Sequence, residues 1–270
     1  MRTTMRDPRP ESSFSRLMGA LTRALLLLAG ILSVCFPSRA GNELFKQTYP
    51  LQSGGSFQLE NVNGSVQVEG WARDEVEVSA VKTAESDPRD LERVKIEVDD
   101  SQPGQVSVHT RYPKGEGVEV AVEYHVHVPY RVLLGNVETV NGSVIVRGVE
   151  GGGELRSVNG NVEVLDSSGR FSEKTTNGNL RLELRQLLDG GPMNLETVNG
   201  SVVLGLPPTA HADVKVLSMN GDVYSELPAS STVGFPGARS LHAKLGSGGG
   251  QISVRTINGG IRLVLQRPAV

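Results

Sequence analysis

Along most of the chain, apolar residues alternate with polar ones in short runs, the period of strands that bury one face. These runs keep phase with a dipeptide. Asn-Gly occurs at Asn63-Gly64, Asn141-Gly142, Asn159-Gly160, Asn177-Gly178, Asn199-Gly200, Asn220-Gly221 and Asn258-Gly259. Four residues before each Asn stand Leu59, Val137, Leu155, Glu173, Leu195, Val216 and Val254. Three after it stand Val66, Val144, Val162, Leu180, Val202, Val223 and Ile261, and five after it Val68, Val146, Val164, Leu182, Leu204, Ser225 and Leu263. Immediately before it stand Val62, Val140, Val158, Thr176, Val198, Met219 and Ile257. Two before it the residue is small and polar, usually Thr or Ser. Successive Asn residues are 78, 18, 18, 22, 21 and 38 positions apart, and a period near 20 predicts a stacked repeat.

Glycine takes positive φ freely and asparagine tolerates the left-handed region, so each Asn-Gly is predicted to be a sharp corner between two strands. Two all-β architectures fit. Each dipeptide could close a two-residue hairpin, or it could be the corner of a parallel β-solenoid in which equivalent residues stack. A regular hairpin would expose the column just before Asn, whereas a solenoid corner can tuck it inward. Glycine-rich stretches at Gly151-Gly152-Gly153, Ser168-Gly169 and Gly190-Gly191 suit a second set of corners. The solenoid is therefore the predicted fold.

The body divides by pattern into 41–135 and 136–270, two parts of one domain. Residues 41–50 read as a lead-in. Strands are predicted at Glu75–Ala80, Val94–Val98, Gln105–Thr110 and Val118–Val128, a helical turn over Asp87–Arg93, and hairpin turns at Ser101–Gly104 and Pro113–Gly115. This first part reads as an antiparallel cap, and 136–270 as the regular repeat. Pro228 to Gly237 reads as a loop or second cap.

Residues 1–40 have another character. Five arginines from Arg2 to Arg23 precede an apolar run from Ala24 to Phe36, and Ser38-Arg39-Ala40 supplies small residues at the positions a signal peptidase reads. The run is shorter than the ~20 residues of a bilayer span. Cleavage after Ala40 is predicted, with retention as an anchor as the alternative. Cys35 is the only cysteine; lipidation there would need a small residue where Val34 stands. A body without cysteine has no disulfide, so core burial and backbone pairing must hold it together.

The repeat resembles a bacterial family known as "putative adhesin", a domain of unknown function. The resemblance is carried by Gly64-Ser65-Val66-Gln67-Val68-Glu69-Gly70-Trp71 with Glu75-Val76-Glu77-Val78, by Val126-His127-Val128-Pro129, by Thr139 to Val144, and by Leu245 to Gly250 leading to Thr256-Ile257-Asn258-Gly259. It spans nearly all of 44–265. It implies an exported, right-handed β-solenoid-like protein with a role in surface adhesion or, as for some relatives, in envelope-stress signalling. It implies no catalytic residue.

Composition narrows the function further. A net charge of -3 offers no basic surplus for nucleic acid. His125 and His127 share one strand face with Glu123, but closed metal sites take three or four ligands, and a solvated face explains them as well. Glu60, Glu138 and Glu196 fall in one column with Arg156, Lys174 and Arg255. Acids and bases in a row can serve a carbohydrate-active site, but alternating signs also make exposed ion-pair ladders of small worth. Trp71 reads as a packing residue rather than a sugar platform. No nucleophile elbow or phosphate loop is present in the sequence. The reading is a non-enzymatic envelope or surface module without a cofactor, binding a protein or glycan partner.

Overall fold

The computed structural model describes residues 41–115, 117–233 and 238–266. The signal segment, its cleavage site and Cys35 lie outside them. The described residues belong to one compact unit. Among the described residues it is all-β, with one five-residue 3-10 turn at Pro88–Glu92, capped by the Asp87 carboxylate on the Arg89 N–H. The strands are β1 (Gly41–Pro50), β2 (Ser56–Glu60), β3 (Val66–Trp71), β4 (Glu75–Ala84), β5 (Lys95–Asp99), β6 (Gln105–Arg111) and β7 (Val120–Pro129). They continue as β8 (Leu133–Asn141), β9 (Val144–Arg147), β10 (Glu150–Asn159), β11 (Val162–Asn177), β12 (Leu180–Leu187), β13 (Met193–Asn199) and β14 (Val202–Leu206). The last are β15 (Ala212–Asn220), β16 (Val223–Ser225), β17 (Ala229–Val233), β18 (Arg239–Leu245), β19 (Gly250–Asn258) and β20 (Ile261–Leu265).

The 20 strands belong to one mixed sheet, and the pairings sort them into two ladders. Strands that follow an Asn-Gly lie in ladder A, which β1, β4 and β7 extend at one end, in the order β1-β4-β7-β3-β9-β11-β12-β14-β20-β16. Strands that precede one lie in ladder B, which β5 and β6 extend at one end and β18 and β17 at the other, in the order β5-β6-β2-β8-β10-β11-β13-β19-β15-β18-β17. The long β11 passes from ladder A to ladder B and joins them, bending at Asp166 (φ 49), the one non-glycine residue with positive φ among those described. Inner pairs are parallel; antiparallel strands close both ends of ladder B and the β1 end of ladder A, whose other end is β16, parallel to β20.

The Asn-Gly dipeptides do not close hairpins. Each joins a strand of ladder B to one of ladder A, and each of these pairs with its equivalents in neighbouring units. The corners align in register, Asn141 with Asn159, Asn159 with Asn177 and Asn177 with Asn199.

Spatial order departs from chain order at both ends. Asn199 is aligned with Asn258, and Asn258 with Asn220. The last unit, β19-β20, is thus inserted between β13-β14 and β15-β16. At the other end β6 and β7 lie outside β2 and β3, while β8 and β9 lie inside them. The intervals of 78 and 38 residues are these excursions, out to an end and back.

Inward columns from both ladders merge into one core, including Leu59, Val137, Leu155, Leu195 and Val254 from ladder B and Val66, Val144, Val162, Leu180, Val202 and Ile261 from ladder A. Burying one such side chain contributes ~1.5–3 kcal/mol.

Several expectations need correction. Residues 41–50 are a full edge strand on β4; its exposed faces give no alternation to read. Pro113–Gly115 is not a hairpin turn, because β6 and β7 lie in different ladders, whereas 100–104 does join the antiparallel pair β5-β6. Gly151, Gly152 and Gly153 lie within β10, and Gly169 within β11. They are pressed against neighbouring strands, and a Cβ on Gly151 would stand 2.4 Å from the Val132 carbonyl oxygen. The column before each Asn is not tucked inward: Val140, Val158, Val198, Ile257 and Met219 are 37–48% exposed.

Candidate functional site

The seven Asn-Gly corners form the most regular surface feature. Their side chains hydrogen-bond in one direction. Nδ2 of Asn141 donates to Oδ1 of Asn63 at 2.8 Å, Asn159 to Asn141 at 2.9 Å, Asn177 to Asn159 at 2.9 Å and Asn199 to Asn177 at 2.8 Å. Asn258 then donates to Asn199 at 2.8 Å and Asn220 to Asn258 at 2.9 Å. No corner Asn has positive φ, and of the seven glycines only Gly64, at φ 114, lies well inside the left-handed region. The expected conformational reason for Asn-Gly is therefore replaced by two contacts. Asparagine supplies an amide that both donates and accepts. Glycine makes room for the next unit, since a Cβ on Gly160, Gly178 or Gly200 would stand 1.9–2.0 Å from the neighbouring glycine's carbonyl oxygen.

The small polar column two residues earlier satisfies that carbonyl. Thr139 donates to Gly64 O, Ser157 to Gly142 O, Thr175 to Gly160 O, Thr197 to Gly178 O, Thr256 to Gly200 O and Ser218 to Gly259 O, at 2.8–3.0 Å. In the first unit Asn61 takes this place and donates to Val122 O, at 2.9 Å, and to Gly64 O. Each corner thus spends one amide donor, a glycine carbonyl and its glycine surface on the neighbouring unit.

Six of the seven residues three before Asn are charged and lie on the outer face of ladder B, Leu217 being the seventh, and several pair with near neighbours. His109 Nδ1 is 3.0 Å from Glu60, Lys174 3.6 Å from Glu196, and Arg156 3.0 Å from Glu154. A shallow groove of about 210 Å³ is lined by Glu154, Arg156, Ser172, Lys174, Asn194 and Glu196 among others. On the outer face of ladder A a groove of about 310 Å³ runs past Val203, Tyr224 and Arg262, with the Arg262 guanidinium 5.7 Å from the Tyr224 ring centre.

His125 and His127 point outward from β7. His127 stacks on Trp71 with ring centres 5.0 Å apart and lies 3.7 Å from Glu69 and 3.8 Å from Glu77. The Arg73 guanidinium also lies 4.7 Å from the Trp71 ring, and the indole N–H donates to Glu75 O at 2.8 Å. Trp71 is thereby packed against a cation and an imidazole. No group of three or more His, Cys, Asp or Glu able to hold a metal is present among the described residues.

Two buried charged side chains escaped the sequence reading. Lys82 donates to Leu91 O at 2.8 Å and Val94 O at 3.1 Å and meets Glu43 at 2.8 Å, pinning the 3-10 turn to β4. The alternation of β4 marks it, since Lys82 falls on the inward face with Val76, Val78, Ala80 and Ala84, beyond the predicted end of the strand at Ala80. Glu173 occupies the core column between Leu155 and Leu195 and is 1% exposed, and neither carboxyl oxygen has a hydrogen-bond partner. Burial, aided by the nearby Glu163 carboxylate, pushes its carboxyl well above the usual carboxylate range. It was visible as the one acid in an apolar column.

Comparisons with known proteins concern the whole body. Among solved structures the chain is similar to a "putative cell adhesion protein" from Clostridium sporogenes, at 12% identity and a TM-score of 0.43, over 83% of this chain and 100% of that one. It is also similar to a "putative adhesin" from Bacteroides fragilis, at 11% identity and a TM-score of 0.39, over 82% and 97%. A "putative lipid binding protein" from Parabacteroides distasonis aligns at 11% identity and a TM-score of 0.29, over 82% and 97%. No protein-family model and no curated protein matches the chain.

Proposed function

We propose that the chain is a non-enzymatic, exported interaction module of the cell envelope, a β-solenoid-like body that presents flat outer faces to a partner. The observation that carries this reading is the division of labour in each unit. Inward columns and corners are consumed by packing and hydrogen bonds, and what is left for a partner is straight rows of side chains at the strand spacing. On ladder A the row at Val203, Tyr224 and Arg262 combines apolar surface, an aromatic ring and a cation, residue types suited to interfaces. Among the described residues no helix is long and apolar enough to cross a membrane; the N-terminal segment is the proposed export signal.

The test is fractionation of the native host with crosslinking pull-down of the processed protein. Recovery in the envelope fraction is expected, with a crosslinked partner lost in Tyr224→Ala with Arg262→Glu. Recovery only in the cytosol would refute export. Polysaccharide cleavage abolished by Glu196→Gln would refute the non-enzymatic reading. A second reading, glycan binding, is favoured by the polar groove of ladder B and expects glycan capture that Lys174→Ala weakens.

A further inference from the structure

The outer face of ladder B carries two adjacent rows that run across the units. One is the row before each Asn, where Val140 and Val158 on β8 and β10, and Val198, Ile257 and Met219 further along, are exposed, with Thr176 between them on β11 and Arg111 and Lys95 continuing it on β6 and β5. The other is the charged row. Taken in spatial order, from β5 through β6, β2, β8, β10, β11 and β13 to β19, it reads Glu97, His109, Glu60, Glu138, Arg156, Lys174, Glu196, Arg255. This order is not legible along the chain, because it depends on the excursions that place β5, β6 and β19.

The row is its own complement when reversed. A two-fold axis along the strand direction, passing between β8 and β10, makes each column face itself with the order of units inverted. Glu138 then meets Arg156 of the second copy, Glu60 meets Lys174, His109 meets Glu196 and Glu97 meets Arg255, each pair occurring twice. Val140 meets Val158 at the centre. Sliding by one unit in one direction sets Arg156 against Arg156 and Glu60 against Glu196. Sliding in the other direction sets Glu138 against Glu138 and Glu97 against Glu196. Like charges opposed across an interface are disfavoured and fix register.

We infer that this face binds a second copy of the chain as an isologous dimer. Eight strands at ~4.8 Å and ~7 residues at ~3.3 Å give a face of roughly 38 by 23 Å. The two copies together would bury about 1,700 Å², the size of a standard stable interface. The internal pairs Glu60–His109 and Lys174–Glu196 are only partly buried, so a second opposite charge can approach each of them. The dimer leaves the outer face of ladder A open, and it does not depend on export or on the absence of catalysis.

The test is sedimentation velocity of the full-length chain, expressed so that native processing occurs. The wild type is expected to be dimeric at micromolar concentration. Glu138→Arg and Arg156→Glu, each checked for a native circular-dichroism spectrum, are expected to weaken dimerisation at least about tenfold, since each opposes like charges at the centre. The double exchange is expected to restore it to within about threefold. Lys174→Glu, on another unit, provides the same loss should a central variant misfold. A wild type that stays monomeric, single variants that dimerise as tightly as the wild type, or a double exchange that fails to rescue would each overturn the proposal.

Discussion

The Asn-Gly edge and the edge opposite it connect the same two ladders, yet they are built differently. At the Asn-Gly edge every unit touches the next through one set of atoms: asparagine amides, glycine carbonyls and a Ser or Thr hydroxyl. The spacing between units there is the strand spacing, which leaves no room for a Cβ. The opposite edge is irregular. Gly148-Val149 turns one unit at φ 65 for Gly148, Asp166 bends β11 without interrupting it, and 188–192 and 207–211 form longer links. Length differences between units are absorbed on that side. A motif repeats where neighbouring units share contacts atom for atom, and drifts where the chain has only to get across. A repeated exposed dipeptide is therefore compatible with a purely structural role.

The largest expected effect comes from filling the glycine column. Gly178→Ala places a Cβ 2.0 Å from the Gly160 carbonyl oxygen, and overpacking against backbone should cost about 3 kcal/mol or more. On the opposite edge Gly191 has nothing within 4 Å, so Gly191→Ala should change stability by less than ~0.5 kcal/mol. Chemical denaturation of the two variants breaks the comparison if their losses are equal. Asn159→Val with Gly160→Val should lower the Tm for the same reason, with the glycine change dominating.

The next effect tests the exception within the core. Glu173→Leu replaces an unpartnered carboxyl by the residue its column favours and should add about 2 kcal/mol. The sign of the pH dependence follows from the raised carboxyl. The folded state keeps Glu173 protonated, while the unfolded chain ionises it near ~4.3. Wild-type stability is thus fully present below that pH and declines as pH rises toward the folded value. Glu173→Leu should remove this part of the slope in melts taken from acid to neutral pH; an unchanged slope would contradict the assignment.

Smaller effects separate the contacts of the corner. Thr197→Val deletes the hydroxyl on Gly178 O and should cost about 1 kcal/mol by urea denaturation, the usual worth of a buried hydrogen bond. Asn159→Ala breaks two exposed amide links and should cost less, ~0.5 kcal/mol, because water competes for those groups. A larger loss at Asn159 than at Thr197 would reverse the ranking.

Much of this fold was legible in the sequence, because apolar columns in phase with Asn-Gly specify which face is buried. The corners, the pairing of β5 with β6 and the 3-10 turn were local enough to read. The order of units was not, since the placement of β19 between β13 and β15 is decided by long-range pairing that leaves no local mark. The outward column at Val140 and Val158 was misread because its composition is that of a core column; exposed valine is ordinary in strands and shows its meaning only beside its neighbours. The hydroxyls of Thr175 and Thr197 were seen as a column, but their acceptors lie 15 and 19 residues away. For the candidate site, the charged residues were legible one by one, and the symmetry of their row appears only in spatial order.

The central claim is that the Asn-Gly corners hold the body together. Native-state hydrogen exchange tests it most directly. The amides of Gly142, Gly160, Gly178 and Gly200 donate to Asn159, Asn177, Asn199 and Asn258 carbonyl oxygens at 2.9–3.1 Å, so they should be protected as strongly as the core strands. Corner glycine amides that exchange as fast as those of the exposed Gly190-Gly191 bend would contradict the account.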